Sequence, residues 1–217
     1  TSSPSTKKEE VLLNNQELNE ILGTDLWGFY PIEFISENIF IMNDGASFYE
    51  VNIKERTGKT LHSLEGSFSS PLFEPISKKL AYLIENNVML RDADNNIVAI
   101  TKNEDPNIVS GQAIARSEFG ITGGLFWSPK GNYLAFYEKD ETNVHDYPLL
   151  NINDTPGSLS NTKYPMAGQS SETARVGIYS AESSRTVYIS TRGDVDGYLT
   201  NISFTPDEKY LFVAEIN

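Results

Sequence analysis

The stretch WSPKGNYLAF at residues 127–136 places an aromatic residue, a turn and an apolar run within ten positions. Pro129 fixes φ at the second position of a β-turn, and Gly131 suits the fourth position. The apolar residues that follow run almost unbroken, which is typical of a strand covered on both faces. The stretch therefore predicts two antiparallel strands joined by a tight turn.

The same pattern occurs twice more, as FEPISKKLAY at 73–82 and FTPDEKYLFV at 204–213. The aromatic, proline and leucine residues keep the same spacing in all three copies. Ser77 and Glu208 stand at the position that Gly131 occupies in the copy above, so the pattern fixes no turn type for these two copies. Three copies of one hairpin predict a protein built from repeats.

Two of the copies are followed by a second pair of β-prone runs joined by polar turn residues. These pairs are NVMLRDADNNIVAI at 87–100 and RVGIYSAESSRTVYI at 175–189. Units of four short antiparallel strands that are covered on both faces are typical of β-propeller blades. The predicted fold is all-β, a partial β-propeller of about three and a half four-stranded blades with a short helix before it.

The pattern assigns the propeller to residues 31–217, with blades over 31–64, 68–101, 121–189 and, incomplete, 198–217. Residues 1–30 are predicted to form a tail over 1–8 and a short amphipathic helix within 9–23 that Gly23 closes. An incomplete last blade leaves an open sheet edge, which a complete propeller would fill. We therefore expect the chain to be part of a longer protein.

Composition excludes several function classes. The formal charge is −13 and no basic cluster is present, so nucleic acid is not expected as a partner. No apolar run approaches the roughly 18–20 residues of a membrane span, and no signal-peptide core begins the chain, which leaves a cytoplasmic location or a removed leader. The chain has no cysteine, which excludes disulfides, thiolate nucleophiles and cysteine zinc sites. No cofactor is expected.

Four stretches, taken in order, carry a family resemblance: SGQAIARSEFGITGGLFWSPKGNYLAFYEKDET (110–142), YPMAG (164–168), VGIYSAESSRTVYI (176–189) and YLTNISFTPDEKYLFVAEIN (198–217). Together they resemble the N-terminal propeller region of the dipeptidyl peptidase IV family of serine peptidases. The bacterial branch, with the prolyl tripeptidyl aminopeptidases, is the most similar in pattern. The resemblance covers residues 105–217 well, whereas residues 1–104 rest on the blade pattern.

The resemblance implies an eight-bladed propeller followed by an α/β-hydrolase domain that holds the catalytic triad. That domain, in the same parent chain, is the implied partner of these residues. A periplasmic or secreted location is implied as well, and homodimers are common in the family. The residues present here lack a G-x-S-x-G elbow, and no motif ties His62 or His145 to a nucleophile. We therefore expect no catalytic residue in this fragment and no hydrolysis by it alone.

Glu118 is the candidate site residue, because the family uses a glutamate in this insertion to bind the free amino terminus of a peptide substrate. Dipeptidyl members have two adjacent glutamates, whereas Ser117 precedes Glu118 here. This difference favours tripeptide over dipeptide release after proline. Arg116 and Phe119 are candidates for support on the substrate side. Without the resemblance, an isolated loop glutamate is usually a solvated charge.

Other interpretations fit some of these residues. Asp92, Asp94 and Asn96 imitate the start of a calcium loop, but a hairpin turn is favoured because Ile97 occupies the position of the required glycine. The acidic run EKDETNVHDY at 138–147 is more typical of solvated surface than of a metal site. The chain could also be a non-catalytic propeller that binds protein or glycan, or a propeller unrelated to peptidases.

Overall fold

A computed structural model describes residues 11–190 and 197–216 of the chain. The predicted tail, the first two residues of the predicted helix and Asn217 lie outside these ranges. Contacts divide the chain into two compact units, Thr1–Gly66 and Ser67–Asn217. Within the described residues, regular structure consists of antiparallel strands, one α-helix and one 3-10 turn, which confirms the all-β class. The predicted division at residues 30 and 31 stays a prediction.

The first unit begins with helix α1, Asn15–Leu22. The helix is shorter than the apolar pattern because the Asn14 side chain accepts a hydrogen bond from Glu17 N (3.0 Å), while the Glu17 carboxylate accepts one from Asn14 N (3.0 Å). This capping box fixes the start of the helix, and Gly23 ends it with a positive φ of 67°. No helix in the described part of the chain is long and apolar enough to cross a bilayer.

A four-stranded antiparallel sheet completes the first unit. Its strands, in spatial order, are β1 (Ile32–Phe34), β2 (Ile39–Asn43), β3 (Ser47–Asn52) and β4 (Thr57–Ser63). Leu18 of α1 is fully buried against Phe40, Met42 and Val51 of this sheet. The apolar stripe of the helix thus covers one face of the sheet.

The second unit begins with another four-stranded antiparallel sheet. Its strands are β5 (Ser69–Glu74), β6 (Lys79–Ile84), β7 (Asn87–Arg91) and β8 (Ile97–Ala99), again in spatial order. The turn between β7 and β8 is a hairpin turn, in which the Asp92 carboxylate accepts hydrogen bonds from Asp94 N (2.9 Å) and Asn96 N (2.8 Å). The calcium-loop alternative is therefore not needed to explain these acidic residues.

The remaining strands form a third sheet, a separate hairpin and a final strand pair. They are β9 (Ile108–Ser110), β10 (Leu125–Trp127), β11 (Tyr133–Asp140), β12 (Asp146–Asn151), β13 (Ser158–Lys163), β14 (Thr173–Ser180), β15 (Arg185–Ser190), β16 (Tyr198–Phe204) and β17 (Leu211–Ile216). The third sheet has the order β10-β11-β14-β15, with β9 paired to the end of β11. The exposed hairpin β12-β13 lies between β11 and β14 in sequence, and β16 pairs with β17.

Consecutive sheets of the second unit pack face to face. Leu83 and Val88 of the second sheet share one core with Leu134 and Phe136 of the third. On the opposite side of the third sheet, Tyr137 packs towards β16, where its hydroxyl donates a hydrogen bond to the Leu199 carbonyl oxygen (2.7 Å). Strand β11 is therefore buried on both faces, as its unbroken apolar run predicts.

Two of the three repeated turns have the same conformation. Gly131 N donates to the Ser128 carbonyl oxygen (2.9 Å), and Glu208 N donates to the Thr205 carbonyl oxygen (2.8 Å). The φ values of Gly131 and Glu208 are 69° and 62°. Glutamate therefore adopts, in the last copy, the left-handed conformation for which the middle copy has glycine.

The first copy forms its turn differently. The Glu74 carboxylate accepts hydrogen bonds from Ile76 N (3.1 Å) and Ser77 N (2.6 Å), and Lys78 rather than Ser77 has a positive φ, of 54°. The side chain of Glu74 thus supplies the acceptors within this turn. The common spacing predicts the hairpin in all three copies but does not predict this turn.

Candidate functional site

The connection between β8 and β10 contains a closed loop over residues 111–124. Gly111 N donates a hydrogen bond to the Tyr137 carbonyl oxygen (2.7 Å), and Tyr137 N donates to the Gly124 carbonyl oxygen (3.0 Å). A Cβ atom on Gly124 would lie 2.2 Å from the Gly111 carbonyl oxygen, so the two ends of the loop touch. The loop leaves and returns at one point beside β10, and Glu118 lies near its middle.

The backbone around Glu118 is strained. Four residues that are not glycine have positive φ values: Ala115 (52°), Arg116 (50°), Ser117 (64°) and Phe119 (54°). The left-handed conformation costs an L-residue roughly 1–2 kcal/mol. Such residues persist only where the surrounding structure enforces them, and they gather at functional sites.

Apolar contacts hold the loop on both sides of the strained residues. Ile114 and Ile121 are 1% and 3% exposed and pack in one core with Tyr137, Val176 and Leu199. Burying an isoleucine side chain contributes roughly 1.5–3 kcal/mol, which is comparable with the cost of one or two strained residues. The strain is therefore sustained by the core between the third sheet and β16.

Two buried polar side chains hold the backbone next to Glu118. Glu172 Oε1 accepts a hydrogen bond from Ala115 N (3.0 Å), and Thr200 Oγ1 donates one to the Phe119 carbonyl oxygen (3.2 Å). Glu172 is 7% exposed and Thr200 is 1% exposed. The chain is thus fixed just before and just after Glu118 by residues distant in sequence.

Glu118 itself is exposed. Its backbone completes the turn, because Glu118 N donates to the Ala115 carbonyl oxygen (2.8 Å) and Ile121 N donates to the Glu118 carbonyl oxygen (2.9 Å). Among the described residues, no side chain donates a hydrogen bond to its carboxylate or forms an ion pair with it. A fixed backbone thus presents a carboxylate that can accept hydrogen bonds from a cation outside the chain.

The Arg116 side chain contacts Lys163 and Tyr164, and no ion pair with Glu118 is found among the described residues. Its Nη2 donates a hydrogen bond to the Lys163 carbonyl oxygen at the end of β13, and its guanidinium lies 5.0 Å from the centre of the Tyr164 ring. This cation–π contact and the hydrogen bond tie the loop to the end of the β12-β13 hairpin. Arg116 thus has a structural role at the loop. Its predicted role towards a substrate stays a prediction.

Phe119 is 45% exposed, and its ring lies 5.1 Å from the ring of Tyr198, centre to centre. Phe119 is predicted from the sequence, whereas the residues that support the loop are not: Glu172, Thr200, Tyr198 and Tyr164 as a partner of Arg116. Tyr164, Tyr198 and Thr200 lie within the stretches that carry the family resemblance, whereas Glu172 does not. All four contact the loop across long sequence separations, so no local pattern marks these contacts.

A separate groove of about 480 Å³ lies at the end of the third sheet and is lined in part by Glu138 and Arg175. Glu138 is 5% exposed and accepts hydrogen bonds from Arg175 Nε (2.8 Å) and Ser110 Oγ (2.9 Å). Burial raises the pKa of Tyr188, and the neighbouring Glu138 charge raises it further. The Glu138 carboxylate is thus engaged inside the protein, where it joins β9, β11 and β14.

The acidic run at 138–147 does not gather its carboxylates at one point. Glu138 pairs with Arg175, and Glu141 pairs with Lys139 (2.9 Å). Within residues 11–190 and 197–216, no three His, Asp or Glu side chains are close enough together to hold a metal ion. The run is explained by ion pairs and solvent exposure.

The fold is similar to that of solved structures. A crystal structure from Bacteroides ovatus ATCC 8483, described as a dipeptidyl aminopeptidase IV, matches 97% of this chain with a TM-score of 0.84 and 36% identity. Dipeptidyl peptidase 4 of Porphyromonas gingivalis matches 88% of the chain with a TM-score of 0.67 and 26% identity. These similarities confirm the predicted partial β-propeller.

Sequence comparison gives the same assignment. A relative from Tuber melanosporum, described as a dipeptidyl-aminopeptidase B, is 25% identical over 178 residues. The chain spans 20% of the length of that relative and 30% of the Bacteroides structure. The family model described as the dipeptidyl peptidase IV (DPP IV) N-terminal region matches residues 37–217. The chain therefore belongs to the family of the dipeptidyl peptidase IV N-terminal region.

Proposed function

We propose that this chain is the propeller part of a serine exopeptidase that releases N-terminal tripeptides or dipeptides after proline. In this proposal Glu118 binds the free amino terminus of the substrate. The supporting observation is the exposed Glu118 carboxylate, which no described side chain engages, on a loop fixed by buried contacts on both sides. Family membership supplies the reaction class.

The chemistry of the amine supports this role. A peptide α-amine has a pKa near ~8 and is largely protonated at neutral pH. Glu118 is exposed in this chain, so the proposal requires that the bound peptide and the hydrolase domain of the parent protein shield its carboxylate from water. A charge-assisted hydrogen bond to the amine is then worth roughly 1.5–3 kcal/mol. An N-blocked peptide cannot supply the charge, so it loses this contribution. The anchor therefore restricts cleavage to the amino-terminal end of a peptide.

The distance from this anchor to the nucleophile sets the length of the product. Each extended residue spans about 3.3–3.6 Å, so a displacement of one residue separates dipeptide from tripeptide release. Ser117 supplies no second carboxylate beside Glu118. We therefore favour tripeptide release.

The remaining parts of the proposal concern the parent protein. The catalytic triad would come from an α/β-hydrolase domain of the same parent chain, and the location would be periplasmic or secreted. A homodimer stays a prediction. The β12-β13 hairpin offers exposed apolar side chains for such a contact: Tyr147, Leu149, Leu150 and Leu159.

The test compares free and N-acetylated X-Pro and X-X-Pro chromogenic peptides on the full-length protein that contains this chain. Glu118→Gln should lower kcat/KM for the free peptides about 10- to 100-fold and should barely change it for the acetylated peptides. Glu104→Gln, another exposed glutamate before the loop, is the matched control and should change neither value.

Equal turnover of free and acetylated peptides by the unsubstituted protein would overturn the anchor role of Glu118. If neither peptide form is turned over and the downstream sequence lacks the triad residues, the alternative of a non-catalytic binding propeller replaces this proposal. Comparing the X-Pro and X-X-Pro series assigns the product length.

A further inference from the structure

Glu172 is a buried carboxylate that contacts the Glu118 loop from outside the loop. It directly precedes β14 and accepts a hydrogen bond from Ala115 N (3.0 Å) across 57 residues of sequence. The Ser171 hydroxyl donates a second, longer hydrogen bond to it (3.3 Å). Ala115 is the first of three consecutive residues with positive φ that lead to Glu118.

A carboxylate is an expensive group to place at this position. Burial disfavours a charge unless hydrogen bonds or ion pairs compensate for lost water, and no basic side chain forms an ion pair with Glu172 among the described residues. An apolar side chain would fill the same space at lower cost. What the carboxylate adds is a strong acceptor for the Ala115 amide.

The Ala115 amide needs such an acceptor because of the conformation of the loop. The amide is buried with Ala115, which is 7% exposed. Chain reversal through left-handed residues directs this amide to Glu172 instead of to a strand neighbour. An unpaired amide at this point would favour rearrangement of the turn, and Glu118 would move with the turn because its own amide donates to the Ala115 carbonyl oxygen (2.8 Å).

We propose that Glu172 is a positioning residue for Glu118, which acts by fixing the Ala115 amide at the start of the left-handed turn. The inference rests on the proposed role of Glu118 as the amine anchor. Thr200 fixes the opposite side, because its hydroxyl donates to the Phe119 carbonyl oxygen (3.2 Å). Displacing an anchored group by about 1 Å can cost up to about 100-fold in rate, so loss of either support should weaken recognition of the free amine.

The experiment measures the ratio of kcat/KM for free over N-acetylated peptides in the full-length protein. Glu172→Met removes the acceptor while keeping a similar volume, and it should lower the ratio about 10-fold, mainly through KM of the free peptides. Glu172→Gln keeps a carbonyl oxygen and should retain the ratio within about 3-fold. Glu141→Met, in a buried glutamate that pairs with Lys139, is the control and should leave the ratio unchanged.

A merely structural role predicts a different result, since a smaller folded fraction lowers kcat for both peptide forms and leaves their ratio unchanged. If Glu172→Met does not fold, Thr200→Val decides in its place, because it removes the matching support on the opposite side of Glu118: an unchanged ratio overturns the positioning scheme. If Glu118→Gln lowers the ratio while Glu172→Met does not, only this inference fails. If Glu118→Gln leaves the ratio unchanged, the proposed function fails as well.

Discussion

Two segments of the second unit place residues in the left-handed region by different means. In the turn after β10, the residue with positive φ is Gly131, for which this conformation carries no steric cost. In the loop over 111–124, positive φ values fall on Ala115, Arg116, Ser117 and Phe119, for which it does. The conformation of the turn is therefore permitted by its own glycine, whereas that of the loop is enforced by its partners.

The hairpin is encoded locally and forms in all three copies of the pattern, and the turn of the middle copy recurs in the last copy. A strained loop needs supports that only the folded unit supplies, namely the core around Ile114 and Ile121 and the hydrogen bonds of Glu172 and Thr200. A loop held in this way presents Glu118 in a defined position.

The largest effect is expected at the base of the loop. Gly124→Ala places a Cβ atom 2.2 Å from the Gly111 carbonyl oxygen and 2.3 Å from the Gln112 carbonyl carbon. Both are backbone atoms that cannot swing aside, so the ends of the loop must separate. We expect a loss of roughly 4 kcal/mol in the free energy of unfolding, measured with urea.

Gly123→Ala is the matched control for this change. A Cβ atom on Gly123 meets no atom within 4 Å, and its φ is not positive, so the expected change is within about 0.5 kcal/mol. Equal losses in the two variants would show that the touching ends do not stabilise the loop. The proposed difference between the loop, which tertiary contacts hold, and the turn, which its own glycine permits, would then be wrong.

The second-largest expected effect on the free energy of unfolding is at Tyr137. Its backbone closes the loop, and its hydroxyl donates to the Leu199 carbonyl oxygen. Burial raises the pKa of Tyr137 from 10.0 to about 12. Since the unfolded chain loses this proton at a lower pH than the folded chain, stability should fall as pH rises from about 10 to about 12. The full loss over this range amounts to roughly 3 kcal/mol.

Urea unfolding between pH 9 and pH 12 measures this loss, with Tyr137→Phe as the comparison. The phenylalanine variant is less stable at pH 9, because the Leu199 carbonyl oxygen loses its donor, but its stability should depend less on pH. Parallel pH dependences in the two proteins would mean that the core supporting the loop is open to water at Tyr137.

The sequence predicts the parts of the fold that short segments determine. Proline and aromatic spacing predict all three repeated hairpins, and the unbroken apolar run predicts that β11 is buried on both faces. The start of α1 is less well predicted, because the capping box at Asn14 rather than the apolar pattern decides it. Short-range patterns thus predict the existence of an element more reliably than they predict its first residue.

The site is predictable only in part for the same reason. Glu118 is identified through the family resemblance, and no local pattern indicates that its neighbours are left-handed. Glu172 lies within the polar stretch QSSET at 169–173, where nothing distinguishes it from a solvated charge. Its contact with Ala115 joins residues 57 positions apart and exists only in the folded unit.

The smallest expected effect distinguishes two costs in the free energy of unfolding: that of a left-handed backbone and that of a steric clash of a new Cβ atom. Gly131→Ala forces a φ of 69° on alanine and places a Cβ atom 2.2 Å from Ser77 Oγ and 2.4 Å from Glu74 Oε2. Gly120 in the loop has a similar φ of 74°, but a Cβ atom there meets no atom within 4 Å. We expect losses of about 2 kcal/mol for Gly131→Ala and about 1 kcal/mol for Gly120→Ala in urea unfolding.

The difference of about 1 kcal/mol between these two variants measures the contact of the middle turn with the first turn, since the left-handed cost is common to both. Ser77→Gly, introduced together with Gly131→Ala, should recover part of that difference because it removes Ser77 Oγ and Cβ, two of the atoms nearest to the new Cβ. If the two alanine variants are equally destabilised, the turn is limited by its backbone alone. The preference for glycine at residue 131 would then come from its left-handed backbone conformation alone. The packing of one repeat on the next would contribute nothing to it.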